Sequence, residues 1–177
     1  MLVEFRRAIR AQACGGTLGT TVRAIRESDH EKVASVVNEW WGGRDMAWLL
    51  PRLFFRHFGD TSFAVEEDGE LIAFLIGFVS QSREGEAYIH FVGVRPDRRK
   101  EGLGRHLYEL FFEEVEKRGC TKVSCITSPV NKGSIAFHTA MGFSMKESDT
   151  EIDGVPVHRD YDSPDRDRVL FEKMLYS

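Results

Sequence analysis

Two apolar periods alternate along this chain, one of two residues and one of three to four, and their succession outlines a fold. Residues 21–25, Thr-Val-Arg-Ala-Ile, alternate as a first strand. Ser28 or Asp29 caps a helix running to about Trp40, with Val33, Val36 and Val37 on one stripe. Gly42-Gly43 breaks that helix. Residues 46–57 carry Leu49, Leu50, Leu53 and Phe54 at helical spacing, and Pro51 kinks or delays this second helix. Residues 62–66, 71–79 and 87–94 read as strands two, three and four, with Asp68-Gly69 as the turn between the first two. Leu103, Leu107, Leu110, Phe111 and Val115 form a helical stripe through residues 103–118. Residues 122–127 are strand five, 134–141 a short helix, 143–146 strand six and 168–175 strand seven. Hairpin-linked strands followed by strand–helix–strand predict an α/β protein of the α+β type. Its sheet is mixed, with helices on both faces.

Composition narrows the class. A chain of 177 residues is long enough for one core and short for two. The net charge is −4 and the pI about 5.9, which argues against nucleic acid as a general partner. No apolar run has the length of a membrane span, so no membrane partner is expected. Cys14, Cys120 and Cys125 have neither metal spacing nor the pattern of a disulfide framework, and a reducing cytoplasm is the expected location. The six His are scattered, so no metal site is expected. Residues 1–19, with three Arg in the first ten positions and then Gly15, Gly16 and Gly19, are expected to be a flexible N-terminal extension. They lack the apolar centre of a signal peptide, and an Arg-rich organellar segment stays open. Residues 20–177 are the domain.

The chemistry begins at Arg99-Lys100-Glu101-Gly102-Leu103-Gly104. The stretch follows the apolar strand ending in Val94 and the turn signal Pro96-Asp97, and it opens the 103–118 helix. Glycine lets backbone N–H groups approach an anion, and a helix N-terminus carries partial positive charge. Arg98, Arg99, Lys100 and Arg105 add full charges. A phosphate-bearing ligand is therefore expected. A dinucleotide fingerprint fails, because no third glycine follows Gly102 and Gly104, and no P-loop string is present.

What remains, Arg-x-x-Gly-x-Gly after a Val-x-Pro, resembles the GNAT N-acetyltransferase superfamily. The resemblance runs from Ile89-His90-Phe91-Val92-Gly93-Val94-Arg95-Pro96 through Gly104. It resumes at Asn131, 27 residues on, with Ser134, Ala136, Phe137 and the Met141-Gly142-Phe143 close. It implies a mostly antiparallel, seven-stranded sheet splayed between strands four and five, where the pantetheine arm of acetyl-CoA inserts. It implies acetyl-CoA as co-substrate, with Val92, Gly93, Val94, Arg99, Lys100, Glu101, Gly102, Leu103, Gly104, Arg105 and Asn131 at the cofactor. Asn131 would cap its helix, bond the cofactor, or do both.

Acetyl transfer needs a polarised thioester carbonyl, a neutral amine, alignment of the two, and a proton for the departing thiolate. Unpaired backbone of Val92 and Val94 would bond the pantetheine amides. Family members commonly place a Tyr near the thiol, and here that position is His138. An imidazole can donate the proton, so His138 is the candidate acid. Ser134, Phe137, His138 and Met141 also make an i, i+3, i+4, i+7 stripe, which is the pattern of a packed helix residue. Strand alternation puts Glu86, Tyr88, His90 and Val92 on one face, and His90 is the candidate base; a packed His is the other reading.

The acceptor is an amine. Trp40-Trp41-Gly42-Gly43-Arg44 falls where the family's acceptor wall forms; these aromatics line a pocket, meet a cation, pack in the core or join two copies in a homodimer. Residues 147–167 hold eight acids against two Arg. They would attract a cationic acceptor, or they form a charged, soluble hairpin or loop. A non-catalytic acyl-CoA sensor or adaptor is the alternative function, because the motif reports cofactor binding rather than turnover.

Overall fold

The first strand, β1 (Thr20–Ala24), pairs antiparallel with β2 (Phe63–Glu67), placing Val22 opposite Val65. β2 in turn pairs antiparallel with β3 (Glu70–Val79) through the Asp68-Gly69 turn, where both residues have positive φ. The register slips by one after Val65, leaving Ile72 as the extra residue on β3. Seven strands form one sheet in the order β1-β2-β3-β4-β5-β9-β6, with β4 (Glu86–Val94), β5 (Lys122–Thr127), β6 (Ser144–Met145) and β9 (Val169–Met174). β4 and β5 are parallel, and β9 is antiparallel to both β5 and β6. The computed structural model describes residues 19–175. Cys14 and nearly all of the expected 1–19 extension lie outside them.

The chain forms two compact units, residues 19–78 with 91–111, and residues 79–90 with 112–175. In the first unit, α1 (Asp29–Trp40) buries Val33, Val37 and Trp40 against Ile25, Leu50, Phe55, Phe74, Ile76 and Phe91. Ser28 occupies the N-cap position but makes no side-chain cap bond, since its backbone is already helical. Asp29 takes over: its carboxylate accepts the Arg26 N–H at 2.7 Å and both Arg23 Nη groups at 2.7 and 2.8 Å. Glu66 completes this cluster on Arg23. Burial raises the Asp29 pKa, but Arg23 and the Arg26 N–H outweigh it and hold the carboxyl below its usual range. The single second helix expected over 46–57 is two pieces, a 3₁₀ turn at Ala47–Leu49 and α2 at Arg52–His57. Pro51 separates them because it has no N–H to donate back into a helix. Asn38 Oδ1 holds the connection from α1 by accepting from Met46 N and Ala47 N.

In the second unit, β5 and β9 pair over Lys122–Met174 to Thr127–Val169. α4 (Lys132–Ala140) starts two residues earlier than the apolar stripe predicts, because Asn131 caps it, Oδ1 accepting from Ser134 N at 3.2 Å. The stretch 147–167 is not one loop. It contains a two-stranded hairpin, β7 (Glu151–Ile152) and β8 (Val155–Pro156), turned at Asp153-Gly154 with positive φ at both residues. Val157 is fully buried behind it.

Candidate active site

β4 is the strand on which the site is built. Ala87, Ile89, Phe91 and Gly93 are buried, while Glu86, Tyr88, His90, Val92 and Val94 are half-buried on the alternate positions. Its pairing with β5 is short: Glu86 faces Lys122, Ala87 faces Val123, Tyr88 faces Ser124, and the ladder then stops. Glu86 fastens the paired end, its carboxylate accepting from Ser124 Oγ at 2.6 Å and Lys122 Nζ at 2.9 Å. Burial works against the Glu86 anion, but these two donors prevail and keep its pKa low. That bonding leaves Glu86 a poor proton acceptor. Tyr88, at the last paired position, has its phenol pushed up by burial and by nearby Cys125, so it stays protonated at neutral pH. The sequence pattern placed Tyr88 on the right face but carried no sign of this environment.

Gly93 has a packing reason to be glycine. A Cβ there would lie 2.5 Å from the Phe74 ring, which stacks on Phe91 with centroids 5.9 Å apart and an interplanar angle of 5°. Trp41 lies against the other side of this aromatic row, 5.0 Å from Phe91.

β4 leads through a 3₁₀ turn, Pro96–Arg98, to the glycine turn and α3 (Leu103–Glu116). Arg95 N donates to Ile72 O at 2.9 Å, which carries the β3 contact one residue past the strand. Lys100 has φ +71° and Gly102 φ +84°. A left-handed Lys is strained, and a left-handed residue passing directly into a right-handed helix, as Gly102 does into Leu103, turns successive N–H groups toward one concavity, an anion nest. The first intrahelical bond of α3 is His106 N to Gly102 O, so the N–H groups of Leu103, Gly104 and Arg105 have no acceptor within the helix. No acid occupies the first turn of α3. A nest and a free helix N-terminus thus meet at one turn.

The charges around this turn are not equal. Arg95 is closed on Asp97 at 2.7 Å. Arg98 is closed on Glu67 and on Glu101. Arg99 spends its guanidinium on carbonyls, Nη2 to Trp40 O at 2.5 Å and Nε to Val94 O at 3.2 Å. Arg105 lies 3.9 Å from Glu109, both side chains being more than half exposed. Lys100 is exposed and makes no ion pair among the described residues. The basic patch expected from sequence is therefore uneven: Arg95 and Arg98 are closed on carboxylates, Arg99 gives two of its N–H groups to carbonyls while keeping its charge, and Lys100 and the exposed Arg105 are the least engaged.

In the second unit His138 is 5% exposed. Its ring stacks on Phe171 (centroids 4.9 Å, 26°) and meets Phe143 edge-on at 5.5 Å. Nδ1 lies 2.7 Å from Ser134 O, and a carbonyl only accepts, so Nδ1 carries the proton. In the neutral ring Nε2 is then an acceptor. Burial lowers the His138 pKa, more than the Ser134 carbonyl raises it. The packing half of the sequence reading is thus realised in full. A proton-donor role needs the imidazolium, which this site disfavours. Among the described residues no cluster of His, Cys, Asp and Glu could hold a metal ion, and no helix is long and apolar enough to cross a membrane.

The order of strands, the interrupted β4–β5 ladder and the glycine turn opening α3 are those of the acetyltransferase (GNAT) fold. The chain belongs to the Acetyltransferase (GNAT) family, whose profile matches residues 23–143. It is 30% identical over 89 residues to an L-2,4-diaminobutyric acid acetyltransferase of Nocardia farcinica, covering 50% of this chain and 46% of that protein. It is 32% identical over 83 residues to the ribosomal protein bS18 alanine N-acetyltransferase of Escherichia coli, covering 47% of this chain and 54% of that one. The chain thus spans about half the length of these curated relatives. The crystal structure of Ard1 from Thermoplasma volcanium superimposes with a TM-score of 0.73 at 18% identity, covering 90% of this chain and all of that one.

Proposed function

We propose that this protein transfers the acetyl group of acetyl-CoA to an amine by direct attack within a ternary complex. The nest at Lys100–Gly102, opening α3 directly after the part of β4 that runs on past its β5 ladder, carries the reading. The pyrophosphate sits on the N–H groups of Arg99 to Arg105, with Lys100 and Arg105 as countercharges. Backbone of Val92 and Val94 pairs with the pantetheine amides, as an added strand would. The amine nitrogen attacks the thioester carbon, the C–N bond forms, the C–S bond breaks, the amine loses a proton and the CoA thiolate takes one. His90, half-buried on the exposed rhythm of β4, is the base candidate. His138 is the acid candidate under one condition: it acts as imidazolium, so its contribution is confined to pH below its lowered pKa.

The acceptor side is read from charge. Of the eight acids in 147–167, Asp153 pairs with Lys132 and Asp162 with Arg168, while Asp160 and Asp167 accept backbone N–H groups. Glu147, Asp149, Glu151 and Asp165 are left to attract a cationic acceptor. Assembly as a homodimer would use exposed Trp48 and Leu53. The buried free thiols of Cys120 and Cys125 suit a cytoplasmic location.

The test is an amine panel, with amino acids, polyamines, amino sugars and N-terminal peptides, assayed for CoA release. Calorimetry with CoA runs alongside. Release with one amine class supports the transferase. Binding without release with any amine supports the sensor alternative, and absence of CoA binding refutes both.

A further inference from the structure

Helix α1 ends at Trp40 without a basic residue in its last turn. Its final carbonyls are nevertheless covered. Trp41 N reaches Val37 O and Asn38 O, Gly42 N reaches Glu39 O, and Gly43 N reaches Asn38 O. The carbonyl of Trp40 is taken by Arg99 Nη2 at 2.5 Å, from 59 residues along the chain. A guanidinium at the negative end of a helix makes a charge-assisted bond and offsets the helix dipole. The same guanidinium donates through Nε to Val94 O, the last residue of β4. One side chain thus joins the end of β4, the glycine turn that carries it, and the end of α1.

The backbone of Arg99 immediately precedes the left-handed Lys100. Its side chain therefore fixes one wall of the nest. On the far side of the link, Trp40 packs 6.0 Å from Phe74, and Trp41 packs 5.0 Å from Phe91. The neighbouring arginines do not reach α1: Arg95 ends on Asp97 within the turn, and Arg98 on Glu101 and on Glu67 of β2.

We propose that Arg99 is a positioning residue. Its guanidinium does not neutralise the phosphates but links the nest to the C-terminal end of α1, so that an occupied nest orders Trp40, Trp41 and the connection through Arg44. This rests on the reading that the nest takes the pyrophosphate of acetyl-CoA. It adds that cofactor loading is felt at the segment expected to face the acceptor. Coupling of this kind is reciprocal, so breaking the link weakens CoA by the same factor by which CoA strengthens the link. That factor is about 5–30-fold, the lower part of the usual range for coupled sites.

The chain has three tryptophans, and Trp48→Phe leaves Trp40 and Trp41 as the emitting pair. In that background CoA should shift or quench the emission, and pantetheine, which has no phosphate, should not. Arg99→Met keeps much of the stem and removes the donors. It should abolish the emission change while CoA still binds by calorimetry, about 5–30-fold more weakly. Arg99→Lys keeps one charged donor and should restore part of both signals. Circular dichroism melts of each variant establish that the fold persists. A full emission change in Arg99→Met overturns the proposal. So does a CoA loss far above 100-fold in Arg99→Met and Arg99→Lys alike, which would make Arg99 a direct phosphate ligand. Wild-type binding of CoA with silent tryptophans removes the link alone. No wild-type binding of CoA removes the link and the pyrophosphate placement together.

Discussion

Lys100 allows the backbone and the charge of the nest to be separated. Its φ of +71° is a conformation that non-glycine residues adopt at a cost of about 1–2 kcal/mol. Lys100→Gly removes that strain and also the ammonium. Glycine gives back part of the gain, about 0.4–1 kcal/mol, through the entropy of its unfolded chain. The expected net change is a stabilisation of up to about 1.5 kcal/mol, or roughly 3–6 °C at that limit for a chain of this size. Lys100→Ala removes the ammonium but keeps a Cβ in the left-handed region, so its melting point should stay near wild type. Both variants lose one exposed cation beside a diphosphate, a contribution of about 1 kcal/mol that salt screens. CoA should bind about 3–10-fold more weakly to both at low salt, and the gap to wild type should narrow as salt rises. The assay is calorimetry with CoA at two ionic strengths, with scanning melts of the unliganded proteins. The reasoning fails if Lys100→Gly lowers the melting point, because the turn is then not left-handed at Lys100. It fails equally if either variant binds CoA as tightly as wild type at low salt.

Gly93→Ala drives a Cβ to 2.5 Å from the Phe74 ring, so thermal melts should show a loss of about 1–3 kcal/mol, the usual cost of overpacking; an unchanged melt would mean that Phe74 moves freely. Asp29 is 3% exposed at its side chain and bound to Arg23, and its folded pKa lies below its unfolded value. The stability it contributes is therefore present above the unfolded carboxylate range and lost as pH falls below about 4. Asp29→Asn should cost about 2–3 kcal/mol near pH 7, under the usual figure because Glu66 still holds Arg23, and should flatten the acid limb of the melting profile. His138→Ala should cost about 2–4 kcal/mol by opening a cavity beside Phe143 and Phe171. Should the imidazolium also protonate CoA, wild-type kcat falls as pH rises through the lowered His138 pKa, and a kcat flat from about pH 6 to 9 assigns the residue to packing alone.

The sheet strands and α1 were legible because their apolar residues keep one period. β3 and β4 differ from expectation only by one residue at their first positions. What escaped the pattern was held by single polar atoms. Asn131 Oδ1 decides where α4 begins, and Asn38 Oδ1 decides the path after α1. Of the hairpin and loop alternatives for 147–167 the β7–β8 hairpin is formed, and since strands of two residues carry no period its local signal was the Asp153-Gly154 pair. At the site, the glycine turn and the alternation of β4 could be read from residue types. The left-handed Lys100, the Glu86 clasp on Ser124 and Lys122, and the enclosure of His138 could not, because each depends on partners distant in sequence or on a dihedral angle.

Counting charges misjudges this turn, and its geometry explains why. Five cations between Arg95 and Arg105 suggest an electrostatic trap, yet the chain carries a net charge of −4. Arg95 and Arg98 are neutralised within a few residues by Asp97 and Glu101, and Arg98 also by Glu67 across the first unit. Arg99 keeps its charge but gives two of its N–H groups to carbonyl oxygens. What remains at the start of α3 is the set of N–H groups of Leu103, Gly104 and Arg105 without a helical acceptor, with Lys100 and Arg105 beside them. Backbone donors are fixed in direction and carry no net charge, so they select a ligand by where its oxygens fall rather than by how many charges it bears. Such a turn discriminates a diphosphate held in one pose from loose polyanions, including nucleic acid. An acidic protein can then hold a strongly anionic cofactor without becoming a general anion binder. The paired arginines stiffen the turn so that those N–H groups stay aimed.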